Sequence, residues 1–168
     1  MEWTTELRYK RYEDWTEEEK KQIKENMAKS PWHTHYHVEP TSGLLNDPNG
    51  FSYFDGKWIL FYQNFPFGAA HGLKSWVQLE SDDLVHFNET GVKVFPDTPL
   101  DSHGAYSGSA MQFDDKLFLF YTGNVRDENW IRHPYQIGAL MDKEGKIEKI
   151  NKILIDQPAD STDHFRDP

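Results

Sequence analysis

A repeat with a period near 60 residues constrains the fold of this chain more than any other sequence feature. The segment FDGKWILFY at 54–62 returns as FDDKLFLFY at 113–121, with six of nine positions identical. The dipeptide Asp47-Pro48 returns as Asp167-Pro168 after 120 residues, which is two periods. Repeats of this length indicate stacked supersecondary units, in which equivalent residues occupy equivalent places.

Each repeat consists of short aromatic and β-branched runs separated by turn residues, a pattern typical of an antiparallel all-β fold. Asp55-Gly56, which stands between two such runs, is a tight-hairpin signal. Four strands per repeat is the pattern of a β-propeller blade, so we predict an all-β fold of about two blades. The predicted strands are 50–54, 58–63, 75–80, 91–95, 107–112, 116–122, 135–141 and 152–155.

The beginning of the chain lacks this pattern and predicts a short helix. Thr16 and Glu19 have the spacing of a capping box, and the helical pattern runs over 16–29 before a proline stops it. Ile23 and Met27 would be the thin packing face of this helix. We expect the helix to lie on the surface without a functional role.

The domain organisation follows from these two patterns. We expect residues 1–35 to be a helical extension and residues 36–168 to be an incomplete propeller domain. A propeller closes on itself with four or more blades, so the chain is expected to be the front end of a longer protein. Two blades leave a radial face uncovered, and we therefore expect poor stability for this part alone.

The composition excludes several classes of partner. The formal net charge is −10 at pH 7 and the pI is about 5.2, which argues against binding to nucleic acid or to anionic membrane surfaces. There is no cysteine, so disulfides and thiolate metal sites are excluded. The start has no signal-peptide pattern and no apolar run is long enough to span a bilayer. We predict a cytoplasmic protein.

Polar residues recur where the innermost strand of each blade would begin, beside the central channel. Asp47, Tyr106-Ser107 and Arg166-Asp167 occupy such places, so we expect them to converge. Carboxylates with an arginine can clamp sugar hydroxyls, and a carboxylate beside a glycosidic carbon can act as a nucleophile. On the residues alone, the Asn-Asp-Pro-Asn-Gly run around Asp47 is also ordinary turn chemistry, and both interpretations stay open.

Four ordered motifs resemble glycoside hydrolase family 32, the β-fructofuranosidases. They are GLLNDPNG at 43–50, LFYQNFPFG at 60–68, YSGSA at 106–110 and FRDP at 165–168. The similarity runs from about Tyr36 to the last residue. It implies part of a five-bladed propeller and retaining hydrolysis of a β-fructofuranosidic bond, without a cofactor or metal. The Leu-Leu form of the first motif, with HGLKSW at 71–76, resembles bacterial members that act on sucrose 6-phosphate.

The resemblance also implies roles for individual residues. Asp47 would be the nucleophile, and Asp167 would bind fructose hydroxyls and stabilise the transition state. The partner would be a small disaccharide or phosphodisaccharide. Trp76 has simple blade packing as an alternative to a sugar-facing place. The residues implied in substrate binding are Leu44, Leu45, Asn46, Gln63, Trp76, Tyr106, Ser107 and Arg166.

The general acid is not found in this sequence. In the family it is a glutamate in a Glu-Cys motif downstream of Arg-Asp-Pro, whereas this sequence ends at Pro168 and has no cysteine. We therefore expect the chain alone to be inactive. Two alternatives remain, namely an invertase or fructan hydrolase that acts on unphosphorylated sugar, and a non-catalytic sugar-binding propeller.

Recognition of a phosphosugar requires a cation. The candidates are Lys74, Arg126, Arg132 and His133, of which we favour Lys74. The alternating His33, His35 and His37 are a weak zinc candidate that no carboxylate completes, so we predict no metal site.

Overall fold

The computed structural model describes residues 2–168 and is built mainly of β-strands. The strands form two four-stranded antiparallel sheets, in the orders β1-β2-β3-β4 and β5-β6-β7-β8. This confirms the all-β class and the four strands per repeat. The elements are α1 Thr5–Arg8, a 3-10 helix Tyr12–Asp14, α2 Glu17–Ala28, β1 Leu44–Phe54, β2 Lys57–Phe65, β3 Ser75–Ser81, β4 Asn88–Val94, β5 Ala105–Phe113, β6 Lys116–Arg126, β7 Arg132–Met141 and β8 Ile147–Ile155.

All eight predicted strands are present, and the starts of the first and last strands differ most from the prediction. We predicted that β1 begins at residue 50, and it begins at 44, so that it includes the Asn-Asp-Pro-Asn-Gly run. We predicted that β8 begins at 152, and it begins at 147. The turn residues in the first motif concealed a strand because β1 is irregular there, and its pairing with β2 shifts register twice.

The two sheets stack face to face over one apolar core. Phe61 and Trp76 of the first sheet pack with Leu119 and Tyr121 of the second, and all four side chains are fully buried. The innermost strands β1 and β5 lie beside each other, since Gly108 N donates to Asn49 Oδ1 at 3.0 Å. Residues about one repeat apart in sequence are therefore neighbours in space.

Each sheet turns a second, partly exposed apolar face away from this core. On the first sheet, Phe51 and Tyr53 contact the Trp58 ring and remain 56% and 55% exposed. On the second sheet, Met111 and Phe113 are 60% and 59% exposed. Because side chains alternate along a strand, one face of each sheet builds the shared core, and the other face remains partly exposed.

Helix α2 forms as predicted and carries the predicted capping box. Thr16 Oγ1 accepts from Glu19 N at 3.2 Å, and the Glu19 carboxylate accepts from Thr16 N at 2.8 Å. Ile23 and Met27 are half-buried, and Ile23 packs on the cluster that contains Trp15. None of the helix residues is fully buried, so α2 lies on the surface.

The segment before α2 packs into the fold, although the helix itself lies on the surface. The Trp15 ring is 5% exposed and stacks on Phe67 at 4.3 Å between centroids. Trp3 packs edge-on against Phe65 at 5.7 Å. Arg11 donates to the carbonyl oxygens of two loop residues of the sheets, Pro96 at 2.8 Å and Ser102 at 3.1 Å.

Candidate active site

Asp47 lies at a bulge in the innermost strand of the first sheet. Asn46 pairs with Gln63 and Pro48 pairs with Tyr62, so Asp47 has no residue opposite it. A bulge of this kind redirects a side chain out of the regular pleat. Pro48 lies within a strand at the edge of its sheet, which is where proline is found in β-sheets.

The Asp47 carboxylate is held by residues of both sheets. Ser107 Oγ, on β5, donates to Asp47 Oδ2 at 2.7 Å. Gln63 Nε2, on β2, lies 3.5 Å from the same oxygen and also hydrogen-bonds Ser107. Gln63 and Ser107 are buried, whereas Asp47 is open to solvent. The structure thus brings three predicted site residues together across the contact between the sheets.

This environment keeps Asp47 ionised. The hydrogen bond from Ser107 lowers the pKa of the Asp47 carboxyl, and the positive charges of Lys74 and Arg166 lower it further against the opposing effect of burial. A carboxylate that accepts a hydrogen bond and lies near cations is stabilised in its charged form. An ionised carboxylate is the form required of a nucleophile.

The Arg-Asp-Pro segment is hydrogen-bonded to the second sheet through Thr122 and Gln136, two residues that the sequence analysis did not identify. Asp167 N donates to Thr122 Oγ1 at 2.9 Å, and Thr122 Oγ1 donates to Gln136 Oε1 at 2.7 Å. Gln136 Nε2 in turn donates to Phe165 O at 2.8 Å. Thr122 and Gln136 are buried in β6 and β7. The side chains of Arg166 and Asp167 lie 3.7 Å apart, measured from Nε to Oδ2.

Trp76 is a packing residue, which corrects its expected place in the sugar pocket. Its side chain is fully buried between Phe61 and Tyr121, with ring centroids at 5.4 and 5.7 Å. A ring without exposed surface offers no face to a sugar, so the packing alternative is the correct one. Trp76 supports the site indirectly, because its Nε1 donates to Tyr106 O at 2.9 Å.

The residues that precede Asp47 divide between the two faces of the sheet. Leu44 packs against the cluster of Trp15, Phe65 and Phe67, whereas Leu45 packs with Tyr62, Val77 and Leu79. The contacts of both leucines in this structure are therefore packing contacts. Asn46 Oδ1 and Gln63 Oε1 are buried acceptors without a hydrogen-bond partner among residues 2–168. Such unpaired acceptors are uncommon, and they are able to accept hydrogen bonds from hydroxyl groups of a ligand.

The four candidate cations divide into two groups according to the partners of their side chains. His133 Nε2 is tied to Asp127 Oδ2 at 3.0 Å, and Arg126 Nη1 donates to Trp130 O at 2.8 Å. The other two, Lys74 and Arg132, both lie at the Tyr106 ring. Among the described residues Lys74 has no ion-pair partner, whereas Arg132 Nη1 lies 3.6 Å from Asp163 Oδ2.

The N-terminal segment braces the loop that carries Lys74. Leu73 N donates to Arg8 O at 2.7 Å, and the Tyr12 hydroxyl lies 3.0 Å from both Leu73 O and Ser75 Oγ. No local pattern in the sequence predicted these contacts.

Other features of the described residues lie apart from Asp47. His33 hydrogen-bonds Glu39 and the Met27 carbonyl, and within 2–168 there is no group of three potential metal ligands. A groove of about 820 Å³ lies between α2 and the residues that follow β4, and none of the predicted site residues lines it. In the same range, every helix is too short or too polar to cross a membrane.

Comparisons with known proteins agree with this geometry. The family model for the glycosyl hydrolases family 32 N-terminal domain, which describes the family's sequences, matches residues 37–168. The sucrose-6-phosphate hydrolase of Streptococcus mutans is 72% identical over 162 residues, which are 96% of this chain and 34% of that protein. The sucrose-6-phosphate hydrolase of Lactococcus lactis is 54% identical over 169 residues, which are 100% of this chain and 36% of that protein.

Solved structures show the same relationship. A sucrose-6-phosphate hydrolase from Lactobacillus gasseri superposes with a TM-score of 0.96 at 51% identity, covering 99% of this chain and 34% of that one. A β-fructofuranosidase from Bombyx mori gives 0.73 at 30% identity, covering 92% and 34%. The chain spans about a third of the length of these relatives. With most of its length matched by the family model, the chain belongs to glycoside hydrolase family 32.

Proposed function

We propose that this chain supplies the nucleophile of a β-fructofuranosidase, and that the complete protein hydrolyses sucrose 6-phosphate to fructose and glucose 6-phosphate. The observation that carries the proposal is the ionised Asp47 carboxylate, which accepts a 2.7 Å hydrogen bond from Ser107 of the neighbouring sheet. The curated relatives cited above, which are named sucrose-6-phosphate hydrolases, support the choice of substrate.

In the proposed first step, Asp47 attacks the anomeric carbon of the fructosyl unit. A carbon–oxygen bond to Asp47 forms, the glycosidic bond breaks, and the leaving oxygen takes a proton from a general acid. In the second step water, deprotonated by the same group, displaces Asp47 and restores the original configuration. Asp167 and Arg166 are proposed to grip fructose hydroxyls, together with the unpaired acceptor atoms of Asn46 and Gln63.

The general acid is proposed to be a glutamate that lies outside residues 2–168. The groups that contact Asp47 or affect its charge are Gln63, Ser107, Lys74 and Arg166, and no glutamate of the described range is among them. Without that proton donor, residues 1–168 alone are expected not to cleave either sugar.

The remaining architecture is part of the same proposal. The partly exposed apolar faces of the two sheets, with Phe51 and Tyr53 on one and Met111 and Phe113 on the other, would be covered by further blades of a five-bladed ring. The catalytic domain would begin near residue 36, in the cytoplasm, where a phosphorylated sugar is available.

A second candidate is hydrolysis of an unphosphorylated fructoside. A fructan 1-exohydrolase from Cichorium intybus, solved in complex with 1-kestose, superposes with a TM-score of 0.72 at 31% identity. This relative shares the fold of the chain, so the fold alone does not select the substrate. The buried Lys74 favours the phosphorylated sugar.

The test is a substrate comparison with the complete protein. We expect kcat/KM to be highest for sucrose 6-phosphate, lower for sucrose and lowest for 1-kestose. Methanol added to the reaction should trap the fructosyl-enzyme as methyl β-fructofuranoside, with retained configuration. A higher kcat/KM for sucrose or 1-kestose would select the second candidate, and sugar binding without turnover would make the protein a binding module.

A further inference from the structure

We propose that Lys74 and Arg132 form the binding site for the phosphate monoester of the substrate. The inference rests on the proposed function and deepens it, because it assigns residues to the group that distinguishes sucrose 6-phosphate from sucrose. The proposal depends on the burial of Lys74, on its missing partner, on a second cation at the same aromatic ring, and on the rigid loop beneath it.

Lys74 is a buried cation without a partner. The residue is only 7% exposed, yet within residues 2–168 its ammonium group makes neither a hydrogen bond nor an ion pair within 4.0 Å. Its Nζ lies 5.3 Å from the centroid of the Tyr106 ring. Burial lowers the pKa of Lys74 to about 8, although the charge of Asp47 opposes this shift. An unpaired buried charge is unfavourable, and an anionic ligand would remove that penalty.

Arg132 brings a second cation to the same ring. Its guanidinium carbon lies 5.8 Å from the Tyr106 centroid, and its side chain is 16% exposed. Nη1 is 3.6 Å from Asp163 Oδ2, while the buried Nε has no partner in the described residues. A guanidinium group binds phosphate oxygens through several donors at once, so Arg132 is suited to a phosphate monoester.

The charged groups around Lys74 bear on how a phosphate group would bind there. The positive charges of Arg132 and Arg166 both lower the pKa of Lys74, so each arginine repels the Lys74 ammonium group. Asp163 and Asp167 lie near the two arginines, which leaves Lys74 with only the more distant Asp47. A phosphate dianion would be repelled by the Asp47 carboxylate unless cations compensated for that repulsion.

The backbone around Lys74 is fixed on both sides. Lys74 O accepts from Ala105 N at 2.9 Å, and Leu73 N donates to Arg8 O at 2.7 Å. The Tyr12 hydroxyl lies 3.0 Å from Leu73 O and from Ser75 Oγ. A lysine on a braced loop loses less conformational freedom on binding than a free surface lysine does, and a binding site requires this support.

A simpler role for Lys74 would be to keep Asp47 ionised. That role would affect every fructoside equally, because the nucleophile is common to all of them. A phosphate-binding role would affect only the phosphorylated substrate, so the ratio of the two kcat/KM values separates the roles.

The experiment compares Lys74→Gln, Arg132→Gln and the double variant in the complete enzyme. We expect each single substitution to lower kcat/KM for sucrose 6-phosphate about 10- to 100-fold more than for sucrose, mainly through KM. Lys74→Arg should recover part of the preference because it keeps the charge. The matched control is Lys152→Gln, since Lys152 is exposed on β8 and should leave the ratio unchanged.

A binding measurement decides the proposal independently of turnover. Calorimetry on the wild-type enzyme should show glucose 6-phosphate binding more tightly than glucose, and this advantage should disappear in Lys74→Gln. Inorganic phosphate alone is the third probe, and it should bind more weakly than glucose 6-phosphate. Equal losses on both substrates, or equal binding of glucose and glucose 6-phosphate by the wild type, would overturn the site. An enzyme that binds glucose 6-phosphate selectively but cleaves neither sugar would refute the proposed function and keep the site.

Discussion

The two innermost strands have the same shape but carry different chemistry. β1 has a bulge at Asp47, and β5 has an irregularity at the corresponding place, between Ala105 and Gly108. The first presents a carboxylate and the second presents the Ser107 hydroxyl, which donates to it. Two carboxylates at these places would repel each other, whereas an acceptor and a donor form a bond. The repeat thus places two side chains together, and the difference between them makes the site.

The largest effect should come from removing the charge on β1. Asp47→Asn in the complete enzyme should lower kcat on the order of 10⁴-fold or more, because the amide cannot form the fructosyl-enzyme. Steady-state hydrolysis of sucrose 6-phosphate measures this loss.

An exchange of the two residues sharpens the same comparison. The double variant Asp47→Ser with Ser107→Asp keeps one carboxylate and one hydroxyl but moves the charge to β5. We expect it to be as inactive as Asp47→Asn, and near-normal turnover would mean that the two strands are interchangeable.

A smaller effect should follow removal of the donor on β5. Ser107→Ala should lower kcat/KM about 10- to 100-fold, the usual range for a hydrogen bond to a charged group. The bond from Ser107 lowers the pKa of Asp47, so its loss raises that pKa. Activity that requires ionised Asp47 is lost as the pH falls through this pKa, and the acid limb of the pH profile should therefore move to higher pH.

The control for this change lies on the same strand. Ser109 is exposed two residues further on, and Ser109→Ala should leave both kcat/KM and the acid limb in place. An acid limb that does not move in Ser107→Ala would remove Ser107 from its assigned role.

Loss of the hydrogen bond that holds the Arg-Asp-Pro segment should have a smaller effect on kcat/KM. Thr122→Val removes the acceptor for Asp167 N while keeping the shape of the side chain, and it should lower kcat/KM about 5- to 30-fold. Thr90→Val on β4 is the matched control because Thr90 is exposed and far along the sheet from β1. If both valine variants behaved alike, Thr122 would have no special part in holding Asp167.

The smallest effect should come from the surface helix. Thr16→Ala removes the N-cap of α2 and should lower the free energy of unfolding by about 1 kcal/mol, measured by urea denaturation of the complete enzyme. Because no residue of α2 is among the hydrogen-bond partners of Asp47, kcat/KM should not change. A change in kcat/KM would give α2 a role in catalysis that the structure does not support.

The sequence predicted features that depend on local or repeated patterns. The capping box located α2, and the 60-residue period paired Asp47 with Ser107. The braces from Arg11 and Tyr12 reach partners 61 to 91 residues away, and no short pattern encodes such contacts. The role of Trp76 was ambiguous because an aromatic residue near a polar site can either pack in the core or stack against a sugar. Only the packing of the two sheets against each other shows that this side chain is buried.

The contacts of the N-terminal segment with the loop that carries Lys74 affect how hybrids of this chain and its relatives should be designed. The match to the family model starts at residue 37, and a junction placed there would separate Arg8 and Tyr12 from the loop they hold. In such a hybrid the N-terminal segment would come from another protein, and any mismatch would fall on the loop that carries Lys74. A hybrid should therefore take the first 36 residues and the two sheets from the same protein.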